Sequence, residues 1–232
     1  MKNVLMLDLE TTGSVPGCCI LTLGASGLDK DGGSVEFYKR IAHYRSKSDG
    51  FLDEAKTLEW WKKQDESIRF EAFSGRDNPE EVINEFLDFI DKNFSVTAKS
   101  FSVWCKGPDF DFPILKRYFE RYGHECPWAF WQQRDYRTIQ AMSSLIKRHE
   151  NNQGAHSALE DAKAQMRGLE YFWSLKQLDL LNELDTANRI KEEQIAKADK
   201  LLSCLKCLVM RNLIKDCPEK VSAIEIVNEA GK

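Results

Sequence analysis

Two carboxylates interrupt the end of the first apolar run in the chain. Residues 4–7 are continuously apolar and a turn containing Gly13 follows, which predicts a buried strand. Asp8 and Glu10 are two residues apart, so on a strand they face the same side. Two buried carboxylates repel each other and lose hydration, which destabilises a fold unless a partner compensates. A divalent cation such as Mg²⁺ would compensate both, whereas a strand end open to solvent would need no ion.

A second pair of acids, Asp109 and Asp111, follows a short apolar strand that is predicted at residues 101–105. A helix is predicted to begin at Asp111 and to stop at Gly123, because glycine readily adopts the left-handed conformation that ends helices. The two acids share a face if the chain is extended there. Their spacing alone therefore leaves open which of them would join a metal site.

A histidine and a further acid lie at another predicted helix start. Ser157 and Glu160 form a Ser-x-x-Glu capping box in front of an apolar helix. His156 then lies one residue outside the helix, and Asp161 lies at its fourth position. Side chains at these two positions commonly meet across the first turn, so His156 and Asp161 are predicted to be neighbours. The alternative is an ordinary exposed loop histidine.

The remaining pattern mixes strands and helices, which indicates an α/β fold. Apolar runs at residues 20–25 and 35–41 flank a strong turn, and together with the first strand they predict an antiparallel meander. Helical spacing appears in three further segments: 53–64, the stretch that follows Asn78-Pro79, and 136–146. After about residue 175 the chain is rich in Lys, Glu, Leu and Ile, is helical in pattern and carries no catalytic motif.

The composition sets limits on the function. The 232 residues suffice for one sizeable domain plus an extension, and 42% hydrophobic and 30% charged residues are typical of a soluble globular protein. No apolar run is long enough to span a membrane, no signal peptide is predicted, and seven cysteines favour a reduced, cytoplasmic protein. A net charge of −4 argues against a broad basic surface for nucleic acid, so any such contact should be local and metal-assisted.

Taken together and in this order, the acidic motifs resemble those of the DEDDh 3′–5′ exonucleases of the ribonuclease H-like superfamily. The motifs of that family are Asp-x-Glu, an aromatic residue followed by Asp, and His followed five positions later by Asp. They are matched residue by residue at Asp8-x-Glu10, at Phe110-Asp111, and at His156 with Asp161. The resemblance implies a ribonuclease H-like α/β fold with a central mixed five-stranded sheet flanked by helices. It implies an exonuclease domain at residues 1–175 and a C-terminal helical extension of unknown role at residues 176–232.

Three longer segments are similar to the branch of this family formed by phage exodeoxyribonuclease A. They read TLEWWKKQ at residues 57–64, WCKGPDFDFPIL at 104–115 and FWQQRDYRT at 130–138. A related bacterial branch degrades RNA from its 3′ end. Trp60 and Trp61 in the first segment either stack on bases or pack in the core.

The resemblance also implies a mechanism. Two Mg²⁺ ions, for which Mn²⁺ can substitute, would be held by four carboxylates, those of Asp8, Glu10, Asp111 and Asp161. His156 would be the general base that takes a proton from the attacking water, a role that suits an imidazole with the ordinary pKa of about 6.5.

Three more residues are predicted to bind the substrate. Thr11 and Thr12 lie just past the first two acids and are expected to meet the terminal nucleotide through backbone N–H or hydroxyl groups. Arg137 is expected to contact a phosphate, although a structural pair with Asp135 is the alternative.

The predicted function is hydrolysis of single-stranded DNA from a free 3′ end, with release of nucleoside 5′-monophosphates. The first alternative is a 3′–5′ exoribonuclease that trims RNA, and the second is a catalytically inactive nucleic-acid-binding module. The apolar residues of the extension are expected to need a partner surface: the exonuclease domain, a second copy of the chain in a homo-oligomer, or another protein.

Overall fold

A five-stranded mixed sheet organises residues 1–175 in this computed structural model, which describes residues 1–142, 145–150 and 156–216. The strands are β1 (Val4–Thr11), β2 (Ile20–Leu28), β3 (Ser34–Arg40), β4 (Ser102–Cys105) and β5 (Gln133–Asp135). Their spatial order is β3-β2-β1-β4-β5. The first three strands form the predicted antiparallel meander, and β4 runs parallel to β1 and to β5. The predicted mixed five-stranded sheet is thus confirmed.

Eight helices are described, and a short 3-10 turn at Phe130–Gln132 precedes β5. They are α1 (His43–Ser48), α2 (Ala55–Trp61), α3 (Glu66–Phe73), α4 (Pro79–Asn93), α5 (Asp111–Arg121), α6 (Tyr136–Met142), α7 (Ile146–Glu150) and α8 (Ala158–Asp216). The Asn78 side chain caps α4 by accepting a hydrogen bond from the Glu80 backbone N–H at 2.9 Å, as the Asn-Pro pattern predicts.

Some predicted helix bounds differ from those of the structure. The helix predicted at residues 53–64 is shorter in the structure, where α2 spans Ala55–Trp61. The helix predicted at residues 136–146 begins correctly at Tyr136 but ends at Met142, before the separate helix α7. Short helices and β5 carry too few residues to show a clear period, so their sequence signal is weak.

The two faces of β1 contact different helices. Leu5, Leu7 and Leu9 point into the larger core cluster, which contains residues of α4 and α5. Val4 and Met6 point to the opposite face, into a cluster with residues of α6, α7 and the first turns of α8. Because side chains alternate along a strand, Asp8 and Glu10 continue the row of Val4 and Met6, on the face that α8 covers.

The chain divides into two compact units, Met1–Leu175 and Lys176–Lys232, and the boundary lies within α8. In the second unit, the described leucines are largely exposed; Leu180, for example, exposes 63% of its surface. We still treat it as a prediction that the first unit is an exonuclease domain and the second an attached extension. Residues 217–232 lie outside the described residues. None of the described helices is both long enough and apolar enough to cross a membrane.

Candidate active site

A cleft of about 600 Å³ gathers every predicted site residue except Thr12. Its lining includes the five residues predicted to be catalytic and two of the three predicted to bind substrate: Asp8, Glu10, Asp111, His156, Asp161, Thr11 and Arg137. Residues that are up to 153 positions apart in the chain therefore meet at one place, at the end of β1 and the starts of α5 and α8. The open alternative of a solvated strand end does not apply to Glu10, which exposes only 8% of its surface.

A close approach of α8 to β2 brings its first turn beside Asp8. Gly24 on β2 pairs with Asp8 on β1. A Cβ atom at Gly24 would lie 2.2 Å from the backbone of Ala158, the first residue of α8, so only glycine leaves room for the helix start. This contact places the carboxylate of Asp161, one turn further along α8, over the same face of the sheet as Asp8.

His156 and Asp161 are neighbours, as predicted, but the contact differs from the expected one between side chains. The backbone N–H of His156 donates to Asp161 Oδ2 at 3.0 Å. His156 has φ of 70°, a left-handed conformation that is uncommon for a residue other than glycine. The imidazole lies against the Trp60 indole, with ring centroids 5.0 Å apart and planes 82° apart. Backbone strain at a residue that lines a cleft is typical of functional sites.

Three carboxylates lie close enough to share one cation. Oxygen atoms of Asp8, Glu10 and Asp161 all lie within 4.8 Å of one another. Oxygen-only donors suit hard cations such as Mg²⁺ and Mn²⁺. Asp111 is not a member of this closest group, although it lines the same cleft and its charge acts on Asp8 and Glu10.

Burial and mutual repulsion oppose ionisation of these acids. Burial raises the pKa of Asp8 well above its ordinary value, and the charges of Asp111, Glu10 and Asp161 raise it further. Burial raises the pKa of Glu10 to about 8, together with the charges of Asp161 and Asp111. Burial raises the pKa of Asp111 to about 7, although hydrogen bonds from Cys105 and the Leu9 backbone act against this. A divalent cation would reverse these shifts, so the donor set fits one.

The choice between Asp109 and Asp111 is clear from their positions. Asp111 exposes 3% of its surface and lines the cleft, whereas Asp109 is exposed and does not. The Arg137 guanidinium also lines the cleft, and its charge lowers the pKa of Asp111. Asp135 does not pair with this guanidinium: its carboxylate caps α6 by accepting from the backbone N–H groups of Arg137 and Thr138, at 3.0 and 3.2 Å.

The two threonines differ. Thr11 lines the cleft, but its hydroxyl donates to the Gly13 carbonyl at 2.6 Å. Thr12 is fully buried outside the cleft lining: its backbone N–H donates to the Cys19 carbonyl at 2.9 Å and its hydroxyl donates to the Leu52 carbonyl at 3.4 Å. Both groups by which Thr12 was expected to meet a nucleotide are thus engaged elsewhere, and the structure does not bring this residue to the site.

Sequence reasoning left the adjacent tryptophans undecided and missed Gln165. Trp61 is buried and its indole N–H donates to the Thr11 carbonyl at 2.8 Å, whereas Trp60 is 40% exposed beside His156. Gln165 lines the cleft and its amide N–H donates to Asp8 Oδ1 at 2.9 Å. Its position four residues after Asp161, on the same helix face, was the available signal.

A second group of possible ligands lies elsewhere and differs in its chemistry. Cys19, His43 and Asp53 also bring ligand atoms within 4.8 Å. However, Lys47 Nζ and His43 Nε2 each lie 2.7 Å from the Asp53 carboxylate, and although burial acts to raise the pKa of Asp53, these contacts hold it below its ordinary value. Burial raises the pKa of the Cys19 thiol to about 12. The Lys47 ammonium already neutralises the Asp53 carboxylate, so we assign no cation to this group.

The mixed five-stranded sheet flanked by helices is the predicted ribonuclease H-like fold. The chain belongs to the family described as the 3′-5′ exoribonuclease Rv2179c-like domain, whose model matches residues 3–173. Membership of this exonuclease family makes the chain a hydrolase and implies dependence on a divalent metal. The family and enzyme class predicted from the sequence are therefore confirmed.

A relative and two solved structures are also similar to the chain. The chain is 28% identical over 156 residues to an exodeoxyribonuclease of Enterobacteria phage T4, in a match covering 57% of this chain and 68% of that protein. Its fold matches the crystal structure of E. coli exonuclease I in complex with a dT13 oligonucleotide, with a TM-score of 0.52, 15% identity and coverage of 78% of this chain. A complex of the same enzyme with dA16 gives 0.52, 16% and 80%. The chain spans 43% of exonuclease I, so this likeness concerns the fold alone.

Proposed function

We propose that this protein removes nucleotides one at a time from the 3′ end of single-stranded DNA and releases nucleoside 5′-monophosphates. The observation that carries the proposal is the cleft, where a histidine and four carboxylates meet although burial opposes the ionisation of Asp8, Glu10 and Asp111. Buried carboxylates are costly unless they are paired with an opposite charge or coordinate a metal ion. A catalytically inactive binding module would not need all five residues together.

The four acids would hold two Mg²⁺ or Mn²⁺ ions: Asp8, Glu10 and Asp161 through the closest group, and Asp111 beside them. When bound, these ions supply activation of the attacking water and stabilisation of the leaving 3′ oxygen. Asp8 and Glu10 are fixed by the rigid strand β1, and Asp111 and Asp161 by the first turns of α5 and α8. Ligands on rigid elements need little reorganisation when the substrate binds.

His156 acts as the general base in this proposal. Its backbone N–H, held by Asp161, and its contact with Trp60 orient the imidazole toward the same cleft as the acids. The Arg137 guanidinium, which lies in the cleft near Asp111, contacts a phosphate oxygen of the strand. Thr11 contributes to the shape of the nucleotide site, while its hydroxyl stays bonded to the Gly13 carbonyl.

RNA is the second candidate substrate, because the matching family is described as exoribonucleases. DNA is favoured by the sequence match to the exodeoxyribonuclease of phage T4. The decisive experiment compares 5′-labelled single-stranded DNA and RNA of matched sequence in Mn²⁺. A ladder of shortening DNA products supports the proposal, whereas faster degradation of RNA would make RNA the substrate. Circular single-stranded DNA is tested alongside, and its cleavage would indicate an endonuclease instead.

We also propose that the extension pairs with the extension of a second copy in antiparallel orientation. Two groups of apolar residues in the extension are at least half exposed and are spaced by three or four residues within each group: Leu180 with Leu184, and Leu202 with Leu205 and Val209. An antiparallel register that places Leu184 opposite Leu205 of the second copy also places Leu180 opposite Val209. Residues 176–193 contain five acids and three bases, whereas residues 194–209 contain three bases and one acid, so only the antiparallel arrangement joins opposite charges.

Cysteine substitutions test this arrangement in a background where Cys204, Cys207 and Cys217 are serine. A chain with Leu184→Cys mixed with a chain with Leu205→Cys should form a disulfide between the two, and Leu184→Cys alone should not. The reverse result would indicate a parallel pair, and sedimentation as a monomer would exclude self-association.

A further inference from the structure

Gln165 stands out because it is a buried polar residue in the cleft to which the mechanism above gives no role. It lies on α8 four residues after Asp161, and only 3% of its surface is exposed. Its amide nitrogen donates to Asp8 Oδ1 at 2.9 Å. Its amide oxygen is buried and, among the residues that the structure describes, accepts no hydrogen bond.

The orientation of this amide follows from the chemistry of Asp8. With a cation bound, Asp8 is ionised, and an ionised carboxylate can only accept hydrogen bonds, so the NH₂ group of Gln165 then faces Asp8 and the oxygen faces away from it. A buried acceptor without a donor is costly and rare in folded proteins. We therefore expect the active protein to place a hydrogen-bond donor in the cleft beside the amide oxygen of Gln165.

We propose that Gln165 is a positioning residue of the cation site: its amide N–H fixes the Asp8 carboxylate, and its amide oxygen accepts a hydrogen bond from a water that completes the coordination shell of the cation. Mg²⁺ and similar ions keep several waters in protein sites, and each such water is a strong donor. Groups that orient the ligands of a metal commonly change its affinity by about 10–100-fold. This inference rests on the proposed cation site.

Gln132 provides a matched control. It is another buried glutamine, with 6% of its surface exposed, but both ends of its amide are engaged. Its oxygen accepts from the Ala129 N–H at 2.8 Å and its nitrogen donates to the Val96 carbonyl at 2.7 Å. It does not line the cleft. A residue bonded in this way supports the fold, so its loss should act on stability alone.

The experiment compares Gln165→Met and Gln132→Met in the full chain, by calorimetric titration of Mn²⁺ and by thermal unfolding without metal. Methionine has a similar length and lacks the amide. We expect Gln165→Met to weaken Mn²⁺ binding by about 10–100-fold and to unfold at or above the wild-type temperature. Gln132→Met should unfold at a lower temperature and bind Mn²⁺ within about twofold of wild type. If Gln165→Met does not fold, Gln165→Leu takes its place.

The outcomes separate this inference from the function on which it rests. Asp8→Asn in the same titration should lose Mn²⁺ binding. If Asp8→Asn binds Mn²⁺ as wild type does, the proposed cation site is wrong. If Asp8→Asn loses binding while Gln165→Met binds normally and is less stable, the cation site stands and Gln165 is a structural residue only.

Discussion

Glu10 and Asp111 expose 8% and 3% of their surface in the cleft, whereas Leu180 and Leu201 in the extension expose 63% and 64%. The cleft thus buries charged groups that proteins normally expose, and the extension exposes apolar groups that proteins normally bury. Each arrangement costs free energy in the chain by itself. The difference teaches what kind of partner we expect for each region: a cation for the carboxylates, and, as we propose, an apolar surface for the leucines.

The largest effect should come from removing one buried acid. Asp8→Asn should abolish turnover, because the cation loses a ligand, yet the protein should fold as well as wild type because repulsion among the acids is relieved. Release of mononucleotides from a labelled strand measures the first effect and thermal unfolding the second. Asp109→Asn, at the exposed neighbour of Asp111, should keep full activity. If Asp8→Asn turns over near the wild-type rate, the buried carboxylates do not need a cation for activity, and the contrast between the two regions is wrong.

The next largest effect concerns the histidine. His156→Ala should slow the chemical step by about 10²–10⁴-fold, the usual range for loss of a general base. Mn²⁺ affinity should change little, because the backbone N–H that contacts Asp161 remains. Single-turnover rates and Mn²⁺ titration test both statements, and His124→Ala, at a half-buried histidine that bonds to Asn84 and does not line the cleft, is the control. A variant that loses Mn²⁺ binding together with activity would show that His156 holds the metal site rather than serving as base.

Local patterns predicted the elements of the cleft well. The Asp8-x-Glu10 spacing on a strand and the helix-start positions of His156 and Asp161 depend on periods that the chain obeys over a few residues. The aromatic residue before Asp111 identified the acid that faces the cleft. The position of Thr12 could not be predicted locally. Its backbone N–H and its hydroxyl donate to the carbonyls of Cys19 and Leu52, and these bonds hold the residue outside the cleft lining.

The same reason explains the elements that were missed. β5 has three residues, and its place in the sheet comes from parallel pairing with β4, which no local pattern shows. The separate roles of Trp60 and Trp61 follow from which indole reaches the Thr11 carbonyl. Gln165 had a signal, four residues after Asp161, but glutamine in a helix is common and its bond to Asp8 crosses 157 positions in the chain.

The dependence of stability on pH gives a moderate effect. The pKa values of Glu10 and Asp111 in the folded protein, about 8 and about 7, exceed their values of about 4 in an unfolded chain. The protonated forms therefore favour the fold below about pH 4, and this contribution is lost as pH rises through 7 to 8. Without metal, the unfolding temperature should fall as the pH is raised from 5 to 8.5, and this fall should be smaller in Glu10→Gln. Mn²⁺ should raise the unfolding temperature more at pH 8 than at pH 6, because fewer protons compete for the ligands at the higher pH.

The smallest effect on chemistry should follow removal of the whole extension. The proposed metal ligands end at Asp161, so a chain that stops after Ser174 should hydrolyse a dinucleotide at close to the wild-type rate. It should lose self-association, because the exposed leucines of the extension are no longer present. Dinucleotide hydrolysis at saturating Mn²⁺ and sedimentation of both chains, side by side, separate the two regions. A truncated chain that folds but does not hydrolyse the dinucleotide would mean that the extension completes the active site, and the two regions would then have to be treated as one functional unit.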